Sequence, residues 1–139
     1  MPEKETIERA REDAREGKSP STQAGEFVRE EMHHIREGKH GAASPQQAIA
    51  IGLSKARRAG VKLQPPEQGK SSAETRKKAT RDYRKGQSAS RSKTSTRRSR
   101  ATTNVLKHKG RQAASPQALA KHARSTAHRR TSSSRRRAA

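Results

Sequence analysis

The sequence predicts an all-α protein, a small three-helix N-terminal module followed by a largely disordered basic C-terminal tail with one or two marginal helices. Three observations point there. Ser-Pro pairs stand where helices should begin, at Ser19-Pro20, Ser44-Pro45 and Ser115-Pro116. Apolar residues recur at helical rather than alternating spacing. Charge is divided unevenly: residues 1–70 hold 13 Lys/Arg against 11 Asp/Glu, whereas residues 71–139 hold 21 against only Glu74 and Asp82.

The first helix is expected from about Glu3 to Glu16, closed by Gly17. Its apolar stripe, Ile7, Ala10 and Ala14, is thin, and of the i,i+4 pairs Glu5–Arg9, Glu8–Glu12 and Arg11–Arg15 only the first is attractive. A second helix starts at Ser19-Pro20, serine accepting from the first-turn amides and proline fitting the first helical position. Ala24, Phe27, Val28, Met32 and Ile35 follow at helical spacing, and Gly38 ends the run. The third repeats the design from Ser44-Pro45, with Gln47 where a capping box wants it. Ala48, Ile49, Gly52, Leu53 and Ala56 share a face, Gly52 permits close approach of another helix, and Gly60 fits the left-handed terminating position.

The organisation predicted is a helical module at 1–63, a Pro65-Pro66 linker at 64–70, a short basic helix at 71–86 and a disordered Arg/Ser-rich tail at 87–139. Residues 1–70 contain Ile7, Phe27, Val28, Met32, Ile35, Ile49, Ile51, Leu53, Val61 and Leu63, but the rest of the chain has only Tyr83, Val105, Leu106 and Leu119 as large apolar residues. Four such side chains do not offset an ordering entropy of about 1–2 kcal/mol per residue. A last helix from Ser115-Pro116 to about Arg130 is the one other candidate. A basic glycine-containing turn followed by Ser-Pro or its like recurs at 15–24, 36–48 and 109–120, with AASPQ verbatim at 42–46 and 113–117. It reads first as one helix-start cassette reused, and second as duplicated units whose helix N-termini meet phosphates.

The absence of cysteine excludes disulfides, thiolate metal sites and cysteine nucleophiles. No stretch approaches the roughly 20 apolar residues of a membrane span, so no membrane insertion is expected. The first 18 residues lack the apolar core of a secretory signal. A cytoplasmic, nucleoid address follows as the expectation. His33 and His34 point in different directions, the pairs Glu30–His34 and His33–Glu37 diverge, and His40, His108, His122 and His128 add no ligand spacing, so neither a metal nor a cofactor is expected. An enzyme is disfavoured. There is no Gly-rich phosphate loop, no G-x-S-x-G elbow and too little apolar chain to wall off a pocket.

A half-chain at net +19 implies a polyanion. One aromatic, Tyr83, argues against base stacking as the main mode. Arginine outnumbers lysine there by 14 to 7, which suits backbone phosphates and narrow minor grooves. Serines and threonines interleaved with arginine match basophilic kinase sites in pattern, yet serve equally as spacers in a disordered chain.

SPSTQAGEFVREE (19–31), REGKHG (36–41) and QAIAIGLSKARRAGV (47–61) resemble a family of small basic bacterial proteins classed only as a domain of unknown function. TRKKATRDYRKG (75–86) is similar to the segment that often follows. The resemblance implies a bacterial source and a short helical module, and transfers no activity and no functional residue. Beyond Gly86 the likeness is compositional, to the histone-like tails of bacterial nucleoid proteins.

The function expected is sequence-nonspecific binding of nucleic acid, DNA before RNA, by phosphate neutralisation. The residues assigned to it are Arg57, Arg58, Arg76, Lys77, Lys78, Arg81, Arg97, Arg98, Arg100, Arg129, Arg130, Arg135, Arg136 and Arg137. Phe27, Met32, Ile35, Ile49 and Leu53 form the expected interaction face, on which the module would pair as a homo-oligomer. The alternatives are a helical protein-interaction adaptor localised by its tail, and an RNA- or ribosome-associated factor.

Overall fold

Ser19, Ser44, Ser72 and Ser115 each accept a backbone N–H from three residues ahead, from Thr22, Gln47, Thr75 and Ala118, at 3.1–3.3 Å. Each cap opens a helix. The computed structural model describes residues 2–88 and 95–138, apart from the side chains of 133–135, 137 and 138. Among the described residues the helices are α1 (Lys4–Arg15), α2 (Pro20–Arg36), α3 (Pro45–Arg58), α4 (Ala73–Gln87), α5 (Thr96–Lys107) and α6 (Pro116–Ala138), with a 3-10 turn at Gln112–Ala114 before α6. No strand occurs among them. The closings are as regular as the openings. At Gly38, φ 78°, the Gly38 N–H reaches Ile35 O and the Lys39 N–H reaches His34 O, the paired bonds of a Schellman turn. Gly17 and Gly60 close α1 and α3 in the same way. The capping box of α3 is offset by one residue, since Gln47 Oε1 accepts from Ala43 N rather than Ser44 N. The cap of α4 is Ser72, one residue beyond the Ser71 that the spacing to Glu74 suggests.

Helices α2 and α3 form the spine. α1 packs on α2, α4 packs on α3, and the 3-10 turn with the start of α6 closes over one end of the α2–α3 pair. Gly52 lets the spine close. A Cβ there would lie 2.7 Å from Val28 Cα, so only glycine admits α2 at this distance. Two apolar clusters result. Phe27, Ala10, Ala24, Ala56 and Val61 fill the one under α1, flanked by Ile7, Leu53 and Leu63. Met32, Ile35, Ala42, Ala48, Ala113 and Ala114 fill the other, flanked by Val28, Ile49 and Leu119.

The expectation of a largely disordered tail is overturned. Residues 73–87, 96–107 and 116–138 are helical, including the stretches at 96–100 and 131–138 read as coil; residues 89–94 lie outside the described residues. Two physical reasons account for this. Ala, Lys and Arg, all strong helix formers, fill 33 of residues 71–139. Docking also relies on small residues rather than large ones. Ala79, Ala113 and Ala114 are buried, and Gly86 sits so close to α3 that a Cβ would fall 1.7 Å from Arg57 O. The segment 64–70 is likewise tied down, as Arg57 donates to Leu63 O and Gln64 O, and Gln64 Nε2 donates to the Tyr83 hydroxyl.

The helical pattern exposes a longer duplication than the cassette. ETIERAREDAREGKSPS (5–21) and ETRKKATRDYRKGQSAS (74–90) agree at eight of 17 positions, and AASPQ recurs 71 residues on. α4, α5 and α6 thus repeat α1, α2 and α3 in order. Ala10 and Ala79 are both buried, as are Asp13 and Asp82. The second set does not fold as the first. Its counterparts of Phe27, Met32 and Leu53 are Arg98, Thr103 and Arg124, and although Leu106 stands in the place of Ile35, α5 has too thin an apolar face to close on and buries no residue. Instead it leans on the first set through backbone bonds, Gly41 N to Leu106 O at 2.8 Å and Ala42 N to Gly110 O at 3.2 Å.

Candidate nucleic-acid interface

The basic surface begins on α4. Ala79, Asp82 and Gly86 face α3 at i, i+3 and i+7, which leaves Lys77, Lys78, Arg81, Arg84 and Lys85 exposed. Arg76 is half-buried. Lys78 Nζ lies 2.7 Å from Glu74 Oε1, and that bond holds the Glu74 carboxyl below its usual range. Asp82, the other acid of the second half, is buried and fully engaged. Ser54 donates to Oδ2 at 2.7 Å and Arg58 Nε lies 2.9 Å from Oδ1, so the carboxylate joins α4 to α3. Neither acid faces the arginines further along.

After Asp82 the chain carries 17 Lys/Arg and no Asp or Glu side chain. Arg97, Arg98 and Arg100 are exposed on the first turns of α5, and Lys107 on its last. α6 spans about 35 Å at 1.5 Å per residue. Lys121, Arg124 and His128 follow one face at i, i+3 and i+7, while Arg129 and Arg136, seven residues apart, follow another. Arg129, Arg130 and Arg136 are exposed; Arg135 and Arg137 lie in the last turns of α6, their side chains outside the description. Thr103, Thr126 and Thr131 each donate to the carbonyl four residues back, so the hydroxyls of these helices bond to their own backbone and the cations line the outside.

Two of the assigned arginines sit elsewhere than the sequence suggests. Arg57 is 8% exposed and holds the loop carbonyls of Leu63 and Gln64; burial pushes its guanidinium below the usual arginine range, opposed by the nearby Asp82 charge. It is a structural clasp. Arg58 is committed to Asp82 and keeps only part of its surface in water. Three of the five residues of the apolar interaction face are not on the surface either. Phe27 and Ile35 are 1% and 0% exposed, Met32 is buried, and Ile49 and Leu53 flank the same two clusters. Periodicity shows which residues share a face but not which neighbour covers it. The large apolar side chain standing free among the described residues is Val105 of α5.

Sequence reasoning also missed a buried polar seam along α2. Glu30 accepts from the Glu3 N–H and from Thr6 Oγ1, so it caps the start of α1. Glu31, 0% exposed, is paired with Lys55 of α3 and lies 2.9 Å from His40 Nε2. His34 Nε2 is 3.0 Å from Glu3 Oε1. The i,i+4 spacing of Glu30 and His34 is visible in the sequence, but the arrival of His40 depends on the path of the α2–α3 turn. Among the described residues no helix is long and apolar enough to cross a membrane.

No family model, curated protein or solved structure matches the chain.

Proposed function

We propose that the chain binds nucleic acid through its phosphates without reading sequence, duplex DNA foremost, as a nucleoid-associated protein of a bacterial cytoplasm. The observation that carries the reading is the run of 17 Lys/Arg with no carboxylate side chain after Asp82, its described members exposed on α4, α5, α6 and the loop after α5. Such a surface holds a counterion cloud that a phosphate backbone displaces, and the gain is set by charge rather than by base sequence. Cations presented on helices lose less freedom on binding than those of a flexible chain, which favours affinity. Arginine forks suit phosphate oxygens and enter narrow minor grooves. The bacterial address rests on the resemblance of residues 19–61 to small basic bacterial proteins.

The test is fluorescence anisotropy with labelled duplexes of unrelated sequence and a structured RNA competitor. Changing Arg97, Arg98 and Arg100 together to Gln should weaken binding on every duplex alike and flatten the logarithmic salt slope by about 3. Changing Arg129, Arg130 and Arg136 should do the same. Unchanged binding in both triple variants contradicts the reading, and preference for the RNA over duplex DNA moves the assignment to an RNA-associated factor.

A further inference from the structure

The α2–α3 turn carries His40 back over α2 to a place where two other ligand types already stand. Glu31 and His34 are three residues apart on α2, so both project on one side of it. One ligand atom from each of Glu31, His34 and His40 falls within 4.8 Å of the others. The carboxylate is fully buried. Lys55 occupies Glu31 Oε1, whereas Oε2 takes no well-aligned hydrogen bond even though His40 Nε2 lies 2.9 Å away. A buried carboxylate oxygen with a poorly aligned imidazole as its close neighbour, and a second imidazole within reach, is costly unless something binds it.

We propose that Glu31, His34 and His40 form a zinc site with one position left open. Two imidazole nitrogens and one carboxylate oxygen are a donor set that borderline divalent metals favour over Mg2+. A tetrahedral zinc ion holds its ligands roughly 3.3 Å apart, so small rotamer changes close the set. The net charge of the whole chain does not oppose this, because the first 70 residues are nearly neutral. Lys55 offsets the carboxylate charge when the metal is absent. Glu3 and Glu30 make a second three-ligand group with His34, but there Glu30 Oε1 is already committed to the start of α1. Zinc at the first group would fasten α2 to the turn whose next residues, Gly41 and Ala42, receive α5 and the loop after it.

The experiment titrates the full chain with Co2+ as a spectroscopic substitute, then with Zn2+ by calorimetry. One equivalent of Co2+ with the intense visible bands of a four-coordinate ion, displaced by Zn2+, is the expected result. Zn2+ should raise the thermal midpoint and Mg2+ should not. His34→Gln and His40→Gln should each weaken Zn2+ binding at least about tenfold, while His33→Gln on the exposed side leaves it unchanged. A wild-type chain that yields no four-coordinate Co2+ spectrum overturns the proposal, whatever the variants do. So does Zn2+ binding that survives both His34→Gln and His40→Gln, or that is lost with Glu3→Gln and kept in His40→Gln.

Discussion

The charged residues of α2 do more than solvate a helix. Glu31 is fully buried with the Lys55 ammonium on one oxygen, so removing the lysine leaves a charge inside the fold with only His40 beside it. Lys55→Ala should lower stability by about 2 kcal/mol, less than for a fully buried pair because Lys55 keeps part of its surface in water; urea melts followed by circular dichroism measure it. Glu3 supplies a pH effect. The hydrogen bond from His34, with Lys39 adding to it, holds the Glu3 carboxyl below its ordinary 4.5. A depressed carboxyl stabilises the folded form above its unfolded value, and that contribution fades as pH falls from there through the folded value. Thermal midpoints taken between about pH 6 and pH 3 should fall less steeply for Glu3→Gln than for the wild type. The serine caps and glycine stops were legible because their chemistry is local. The partners of Glu31 were not, since Lys55 and His40 arrive from another helix and a turn.

Among the helices, α4 is the one that departs most from what its composition suggests. Its docked face is Ala79, Asp82 and Gly86, three small or charged residues that an inventory of large hydrophobes passes over. Burial of little area is compensated by close backbone approach and by a carboxylate satisfied from Ser54 and Arg58. Gly86→Ala tests this. Alanine is the better helix former by about 1 kcal/mol, so an exposed Gly86 would gain stability from the change. With Arg57 O at 1.7 Å from the added Cβ, the substitution should instead cost about 1–3 kcal/mol and loosen α4 from α3, seen as faster amide exchange along α4. Phe27→Ala, at the centre of the cluster under α1, should cost about 3–5 kcal/mol in the same melts. The spine itself was readable: the α2 and α3 apolar faces follow the 3.6-residue period and meet across Gly52 as that glycine allows. The second half was misjudged because alanine contributes to helix formation and to tight packing while adding nothing to a count of large side chains.

Across the chain, one sequence pattern of three helices occurs twice with opposite emphasis. The first copy keeps Phe27, Met32, Ile35 and Leu53 and folds on itself, nearly neutral. The second keeps Leu106 in the place of Ile35 but has Arg98, Thr103 and Arg124 in the places of Phe27, Met32 and Leu53, so only α4 packs along the first set, while α5 and most of α6 stand clear of it with their cations outward. The charge asymmetry was plain in the sequence, but its form was not, because disorder and exposed helices share the same low hydropathy. Far-UV circular dichroism of the free protein should accordingly show helix across most of the chain before any polyanion is added, where a chain with only its first half folded would give about half that signal. The most direct test of the account is the affinity for a duplex of arbitrary sequence measured across a salt series. Neutralisation of roughly eight phosphates predicts a logarithmic slope near −7, the same for a second, unrelated duplex. A slope near zero, or no binding in dilute buffer, would contradict it.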